Sequence, residues 1–133
     1  MASVRMDVEL DADPTRVWEA VADVGAVSER LCPGVLLDSR SDGESRVVTF
    51  ANGAVVRETI VDIDPEARRL VYAVAEGTLP FTHHQSSLEV RTHGSGTRIV
   101  WISDLLPHEL AAPVVALMQQ GADAMRSVFN TSP

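Results

Sequence analysis

The chain has no lysine, a single cysteine and few aromatic residues, and each shortage excludes a class of protein. All eleven basic residues are arginine, so Schiff-base catalysis and a phosphate-loop lysine are excluded. Cys32 alone cannot form an intramolecular disulfide. The arginines are scattered through a chain of net charge -8. We therefore expect no nucleic-acid partner.

Long apolar runs are also missing. Residues 1–30 contain no apolar run like the core of a signal peptide, and charged or turn residues interrupt every run before the final helix. We therefore expect neither secretion nor membrane insertion. The expected location is the cytoplasm. The 133 residues fit a single domain, residues 1–133, that can bury a core without a disulfide or a metal.

Alternation of apolar and polar residues with period two predicts seven strands. The strand-like runs are residues 4–10, 35–40, 46–51, 55–63, 70–75, 83–91 and 97–105. Gly43 and Gly53 stand in turn sequences that need positive φ angles, as tight hairpins do. The links between successive strands are short, which predicts an antiparallel meander because parallel neighbours need longer crossovers.

Two short helices are predicted between the first and second strands. Asp11 or Asp13 can cap a helix whose first residue is Pro14 and which ends at Gly25. A second helical segment is expected at residues 26–31, before a Cys-Pro-Gly breaker.

The closing segment, residues 107–129, is predicted to be one long helix with two adjacent apolar stripes. One stripe is Ala111, Val115, Met118, Ala122, Met125 and Phe129, and the other is Leu110, Val114, Leu117, Gly121, Ala124 and Val128. So wide an apolar face predicts an α+β protein in which a seven-stranded antiparallel curved sheet grips this helix around an apolar cavity. Gly121 marks a close backbone approach, room for a ligand, or a tolerated glycine that costs about 1 kcal/mol relative to alanine.

Four segments resemble a known superfamily over essentially the whole chain. They are residues 13–21 after the first strand, 69–72 after an Asp-Pro turn, 96–101, and the Leu-Pro pair at 106–107. With them the chain resembles the START-like or Bet v 1-like (SRPBCC) superfamily of helix-grip proteins, in particular the bacterial polyketide cyclase/dehydrase and lipid-transport group. The resemblance implies the helix-grip fold and an internal cavity.

The polar opening of the sixth predicted strand holds the main candidate for chemistry. Counting back in steps of two from Leu88 places Ser86 and His84 on the inner face. A cavity imidazole can shuttle a proton, or His84 only hydrogen-bonds a core group. Adjacent histidines on a strand point to opposite faces, so no metal site is expected.

Arg57 and Glu58 are adjacent in an apolar strand, so one of the two must face inward. If Val61 and Ile63 belong to the core, Arg57 shares their face and could offer its guanidinium to a ligand oxygen. A bulge would turn Glu58 inward instead. The third alternative is an outward ion pair with a neighbouring strand.

The same counting turns Tyr72, Trp101 and Ser103 toward the cavity, where Trp101 either contacts a ligand or packs in the core. The expected ligand contacts are Ser86, Glu58, Trp101, Ser103, Met118, Gly121, Ala122 and Met125. If the protein is an enzyme, His84 is the expected acid/base and Arg57 or Tyr72 polarises a carbonyl.

Together these features predict a monomer or homodimer that binds a small hydrophobic or aromatic molecule without a cofactor. Three functions are considered. One is a cofactor-independent polyketide cyclase or dehydratase, and another is a non-catalytic carrier or sensor of a lipid, quinone or aromatic compound. The third is a protein-interaction module without a ligand, and the polar cluster around His84 favours the first two over it.

Overall fold

Seven strands and three α-helices make up the helix-grip fold in a computed structural model that describes residues 1–130. The strands are β1 (Ala2–Leu10), β2 (Leu36–Asp42), β3 (Ser45–Phe50), β4 (Val55–Asp64), β5 (Arg69–Glu76), β6 (His83–His93) and β7 (Gly96–Leu106). The helices are α1 (Pro14–Ala22), α2 (Val27–Arg30) and α3 (Ala111–Phe129), with 3-10 turns at Val24–Ala26 and His108–Leu110. The last three residues of the predicted domain, 131–133, lie outside the described residues.

All seven strands pair antiparallel in one sheet of order β1-β7-β6-β5-β4-β3-β2. Strands β2 to β7 form the predicted meander, and β1 pairs with β7 at the far edge. Gly43 and Gly53 adopt φ angles of 63° and 88° in the hairpin turns, which confirms the turn chemistry read from the sequence.

The first helix begins as predicted and ends early. Asp13 caps it by accepting a hydrogen bond from the backbone N–H of Thr15 at 2.8 Å, and Pro14 occupies its first turn. The prediction that it ends at Gly25 is wrong. Asp23 already leaves helical geometry, with ψ at 73°, and Gly25 lies in the following 3-10 turn.

The closing helix α3 packs a narrower face against the sheet than its apolar pattern predicts. Val114, Met118, Ala122 and Met125 are buried, whereas Val115 is exposed. The inclusion of Val115 in the buried face is therefore wrong. No helix within residues 1–130 has the length and hydropathy needed to cross a membrane.

Candidate ligand-binding site

A cavity of about 380 Å³ lies between the sheet and α3. Its volume falls at the low end of the range for small-molecule sites, roughly 300–1,000 Å³. Lining residues at one end are exposed or half-buried, among them Asn52, Thr78 and Leu79, whereas Trp101 and Met125 at the other end are buried. The cavity therefore opens beside the β3–β4 turn and the β5–β6 loop.

One buried polar residue from each of five successive strands forms a row across the sheet, which we call the polar row. Arg46 on β3 is opposite Glu58 on β4, Tyr72 on β5 is opposite Ser86 on β6, and Ser86 is opposite Ser103 on β7. All five are buried. Because buried polar groups are costly unless they are paired, their contacts decide what the cavity can do.

The β3 end of the polar row is a buried ion pair. Arg46 Nε donates to Glu58 Oε1 at 2.7 Å, and the guanidinium lies 4.9 Å from the centre of the Tyr72 ring. Its Nη1 donates to the carbonyl of Val24 at 3.4 Å. Burial lowers the pKa of Arg46, but the charge and hydrogen bond of Glu58, together with Tyr72 and Cys32, outweigh this and leave that pKa above its ordinary value. Arg46 is therefore a charged group inside the protein.

Tyr72 and Trp101 are hydrogen-bonded neighbours in the buried part of the cavity wall. The indole Nε1 of Trp101 donates to the Tyr72 hydroxyl at 3.3 Å. Burial, and then the charge of Glu58, raise the pKa of Tyr72 well above its usual value, so the phenol keeps its proton. A Cβ atom on Gly121 would lie 2.9 Å from Cη2 of Trp101, so the helix approaches this ring closely, and Gly121 also lines the cavity.

His84 is half-buried beside the polar row, and both of its ring nitrogens are engaged. The backbone N–H of Val74 donates to Nδ1 at 3.1 Å, so the neutral ring carries its proton on Nε2, which lies 3.2 Å from Ser86 Oγ. Ser86 in turn is hydrogen-bonded to Ser103. Burial lowers the pKa of His84, with Glu58 acting in the opposite direction. The geometry is that of a neutral imidazole that holds its neighbours in place.

The expectation that Arg57 reaches the cavity is wrong. Its Nη2 binds Asp42 Oδ2 at 2.7 Å on the outer side of the sheet, and Glu58 lines the cavity in its place. The inference depended on a buried Val61 and Ile63, yet both are exposed, and the β4–β5 register shifts between Ile60 and Asp62.

The cavity brings together most, but not all, of the other expected contacts. Tyr72, Glu58, Trp101, Ser103, His84, Met118, Gly121 and Met125 line it. Ser86 is not among the lining residues, and its hydroxyl is hydrogen-bonded to two residues that are, His84 and Ser103. Ala122 is buried in the core away from the lining. The expectation of direct ligand contact is wrong for these two residues.

Sequence reasoning missed Arg46, Cys32 and Phe81 among the cavity residues. Arg46 could have been found by counting from the Asn52-Gly53 turn, since that hairpin sets Arg46 opposite Glu58. The Phe81 ring packs against His84 with centroids 4.9 Å apart. Burial raises the pKa of the Cys32 thiol to about 12, which makes it a poor nucleophile. Within residues 1–130, no three His, Cys, Asp or Glu side chains are grouped as metal ligands.

The fold and the lined cavity together define a helix-grip protein of the Bet v 1-like (SRPBCC) type. The chain belongs to the polyketide cyclase/dehydrase and lipid transport family, whose family model matches residues 1–130. Both assignments confirm the resemblance seen in the sequence. No curated protein matches the chain.

Solved structures share this fold at low sequence identity. XoxI from Bacillus cereus is 18% identical with a TM-score of 0.87, and the match covers 97% of this chain and 96% of that one. Ginseng major latex-like protein 151 from Panax ginseng is 16% identical with a TM-score of 0.77 and 95% of both chains covered. A protein from Thermobifida fusca is 25% identical with a TM-score of 0.73, covering 100% of this chain and 99% of the other.

Proposed function

We propose that this protein binds a small, mostly apolar molecule with one polar end and acts as a carrier or sensor. The observation that carries the proposal is the pairing inside the polar row. Arg46 is bound to Glu58, and Ser86 to both His84 and Ser103. Apolar walls with a few fixed polar groups are typical of binding sites that orient a ligand.

The state of His84 favours binding over acid/base catalysis. A general base needs a free lone pair within reach of the substrate proton. In His84 the Nδ1 lone pair accepts the backbone N–H of Val74, and the other nitrogen carries the proton. Protonating Nδ1 would set two N–H groups against each other, so the ring supports its neighbours rather than exchanging protons.

A cofactor-independent cyclase or dehydratase is the second candidate, and it draws on Tyr72 and Glu58. Both line the cavity, so a neutral phenol could hydrogen-bond a substrate carbonyl while a carboxylate accepts a proton. The family description names cyclases and dehydrases beside lipid transport, and therefore does not choose between the two.

Mass spectrometry of compounds extracted from the purified protein tests the binding proposal. Val56 lines the cavity, whereas its neighbour Val55 on β4 is exposed. Val56→Trp should fill the cavity and abolish the bound compound, while the control Val55→Trp should retain it. Equal loss or equal retention in both variants would count against the cavity as the binding site.

Incubation of the extracted compound with fresh protein separates the two functions. A carrier returns the compound unchanged in wild type and in Tyr72→Phe. Conversion to a product that wild type makes and Tyr72→Phe does not would instead support the cyclase or dehydratase.

A further inference from the structure

The charges that face the cavity cancel. Of its lining residues within the described range 1–130, only Arg46 and Glu58 carry formal charge, and they are paired at 2.7 Å. The other titratable lining groups are neutral near pH 7. Burial lowers the pKa of His84 and raises those of Tyr72 and of Cys32, the last to about 12. A ligand therefore meets one compensated ion pair and no net charge.

We infer that the cavity selects neutral ligands over anions and cations of the same skeleton, and that Glu58 and Arg46 set this selectivity by compensating each other. The inference rests on the proposed function, because it concerns the class of ligand bound at that site. A charged ligand group would become a third charge in a desolvated place. Its loss of hydration would not be repaid, since each fixed charge already has its partner.

Both partners touch the cavity, and this makes the selectivity switchable. The side chains of Arg46 and Glu58 are 5% and 11% exposed, and each lines the cavity. Removing the charge of Glu58 leaves a guanidinium facing the ligand, which would pair with an anion. Removing the charge of Arg46 leaves a carboxylate, which would pair with a cation. The two variants should shift the preference in opposite directions.

Three probes with one skeleton test the inference by isothermal titration calorimetry at pH 7. They are 2-naphthalenemethanol, 2-naphthoate and 2-naphthylmethylammonium, which are neutral, anionic and cationic. Wild type should bind the alcohol at least about tenfold more tightly than either ion. An uncompensated buried charge is unfavourable by more free energy than a tenfold difference in affinity represents. Wild type binding either ion as tightly as the alcohol would overturn the inference and leave the proposed function standing.

Glu58→Gln should move the naphthoate-to-alcohol affinity ratio toward the anion by about tenfold or more, and Arg46→Met should move the ammonium-to-alcohol ratio toward the cation. The matched control is Asp42→Asn, which removes a carboxylate bound to Arg57 outside the cavity and should leave all three affinities unchanged. Unchanged ratios in the two cavity variants would overturn the assignment to this pair. If a variant does not fold, the wild-type ratios decide. Failure of all three probes to bind wild type overturns the proposed function and the inference with it.

Discussion

Replacing Arg46 by Met should destabilise the fold far more than replacing Arg57 by Met, although the two arginines form ion pairs of equal length. Arg46 Nε lies 2.7 Å from Glu58 Oε1, and Arg57 Nη2 lies 2.7 Å from Asp42 Oδ2. Glu58 and Arg57 are neighbours on β4 that face opposite sides of the sheet. Comparing the two pairs therefore tests the effect of burial at a constant N···O distance.

Exposure determines the expected difference. The side chains of Arg46 and Glu58 are 5% and 11% exposed, against 34% and 45% for Arg57 and Asp42. Losing one partner of a buried pair leaves an uncompensated charge and costs about 3–5 kcal/mol. An exposed pair contributes about 0–1 kcal/mol. With a urea m-value near 2 kcal/mol/M, Arg46→Met should lower the unfolding midpoint by roughly 2 M.

Urea unfolding followed by far-UV circular dichroism measures these values for Arg46→Met, Glu58→Leu, the double variant and Arg57→Met. The double variant should recover most of the lost stability, because it leaves no unpaired charge. If Arg46→Met costs no more than Arg57→Met, the inner pair is hydrated through the cavity and the desolvation argument is wrong. Selectivity for neutral ligands would then lose its physical basis.

Three further predictions concern single side chains. Because burial lowers the pKa of His84, the folded state binds fewer protons than the unfolded chain below about pH 6.5. Stability should therefore fall as pH drops below that value, and thermal unfolding should show a smaller fall in His84→Gln. The variant His83→Gln, at the exposed neighbour, should keep most of the fall, because burial lowers the pKa of His84 more than the charge of His83 does. Gly121→Ala should change the near-UV circular dichroism of Trp101, because the new Cβ would lie 2.9 Å from the ring. It should also lower the free energy of unfolding by about 1 kcal/mol, the balance of overpacking and the gain in helix propensity. Cys32, with a buried thiol of pKa about 12, should react with an aromatic disulfide reagent at pH 8 far more slowly in the folded protein than in urea.

Each of these has a contrary result. Equal pH dependence in wild type and His84→Gln would mean that the imidazole does not titrate differently in the folded state. A more stable Gly121→Ala with an unchanged spectrum would mean that the helix and the Trp101 ring are not in close contact. Rapid labelling of Cys32 in the folded protein would mean that the thiol is accessible and partly ionised.

The fold could be predicted because its signals are local. A turn glycine with positive φ fixes a hairpin, and period-two alternation on both sides of it fixes two strands, as at Gly43 and Gly53. These signals act within a few residues. The predictions were wrong where tertiary packing determines which side chains are buried. Val115 is an example, because it is an apolar residue on the exposed side of α3.

The site was harder to predict because polar side chains occur on both faces of its strands, so the alternation of polar and apolar residues does not show which of them face the cavity. Arg57 and Glu58 give no local signal of direction, and the apolar Val61 and Ile63 are exposed. Combining two signals, the hairpin turn and the charge pattern, would have set Arg46 opposite Glu58 as a cross-strand pair of opposite charge. The alternation of residues in a single strand could not have identified this pair.

His84 shows why a histidine facing an apolar cavity is weak evidence for catalysis. The ladder between β5 and β6 ends at the pair Tyr72 and Ser86, so beyond it β6 offers no backbone acceptor to Val74. The Nδ1 atom of His84 takes that N–H instead, and a buried N–H without an acceptor is unfavourable. The ring therefore continues the hydrogen bonding of the sheet at the place where the backbone stops. That role requires a neutral imidazole with Nδ1 unprotonated, and the same requirement removes the lone pair that a catalytic base would use.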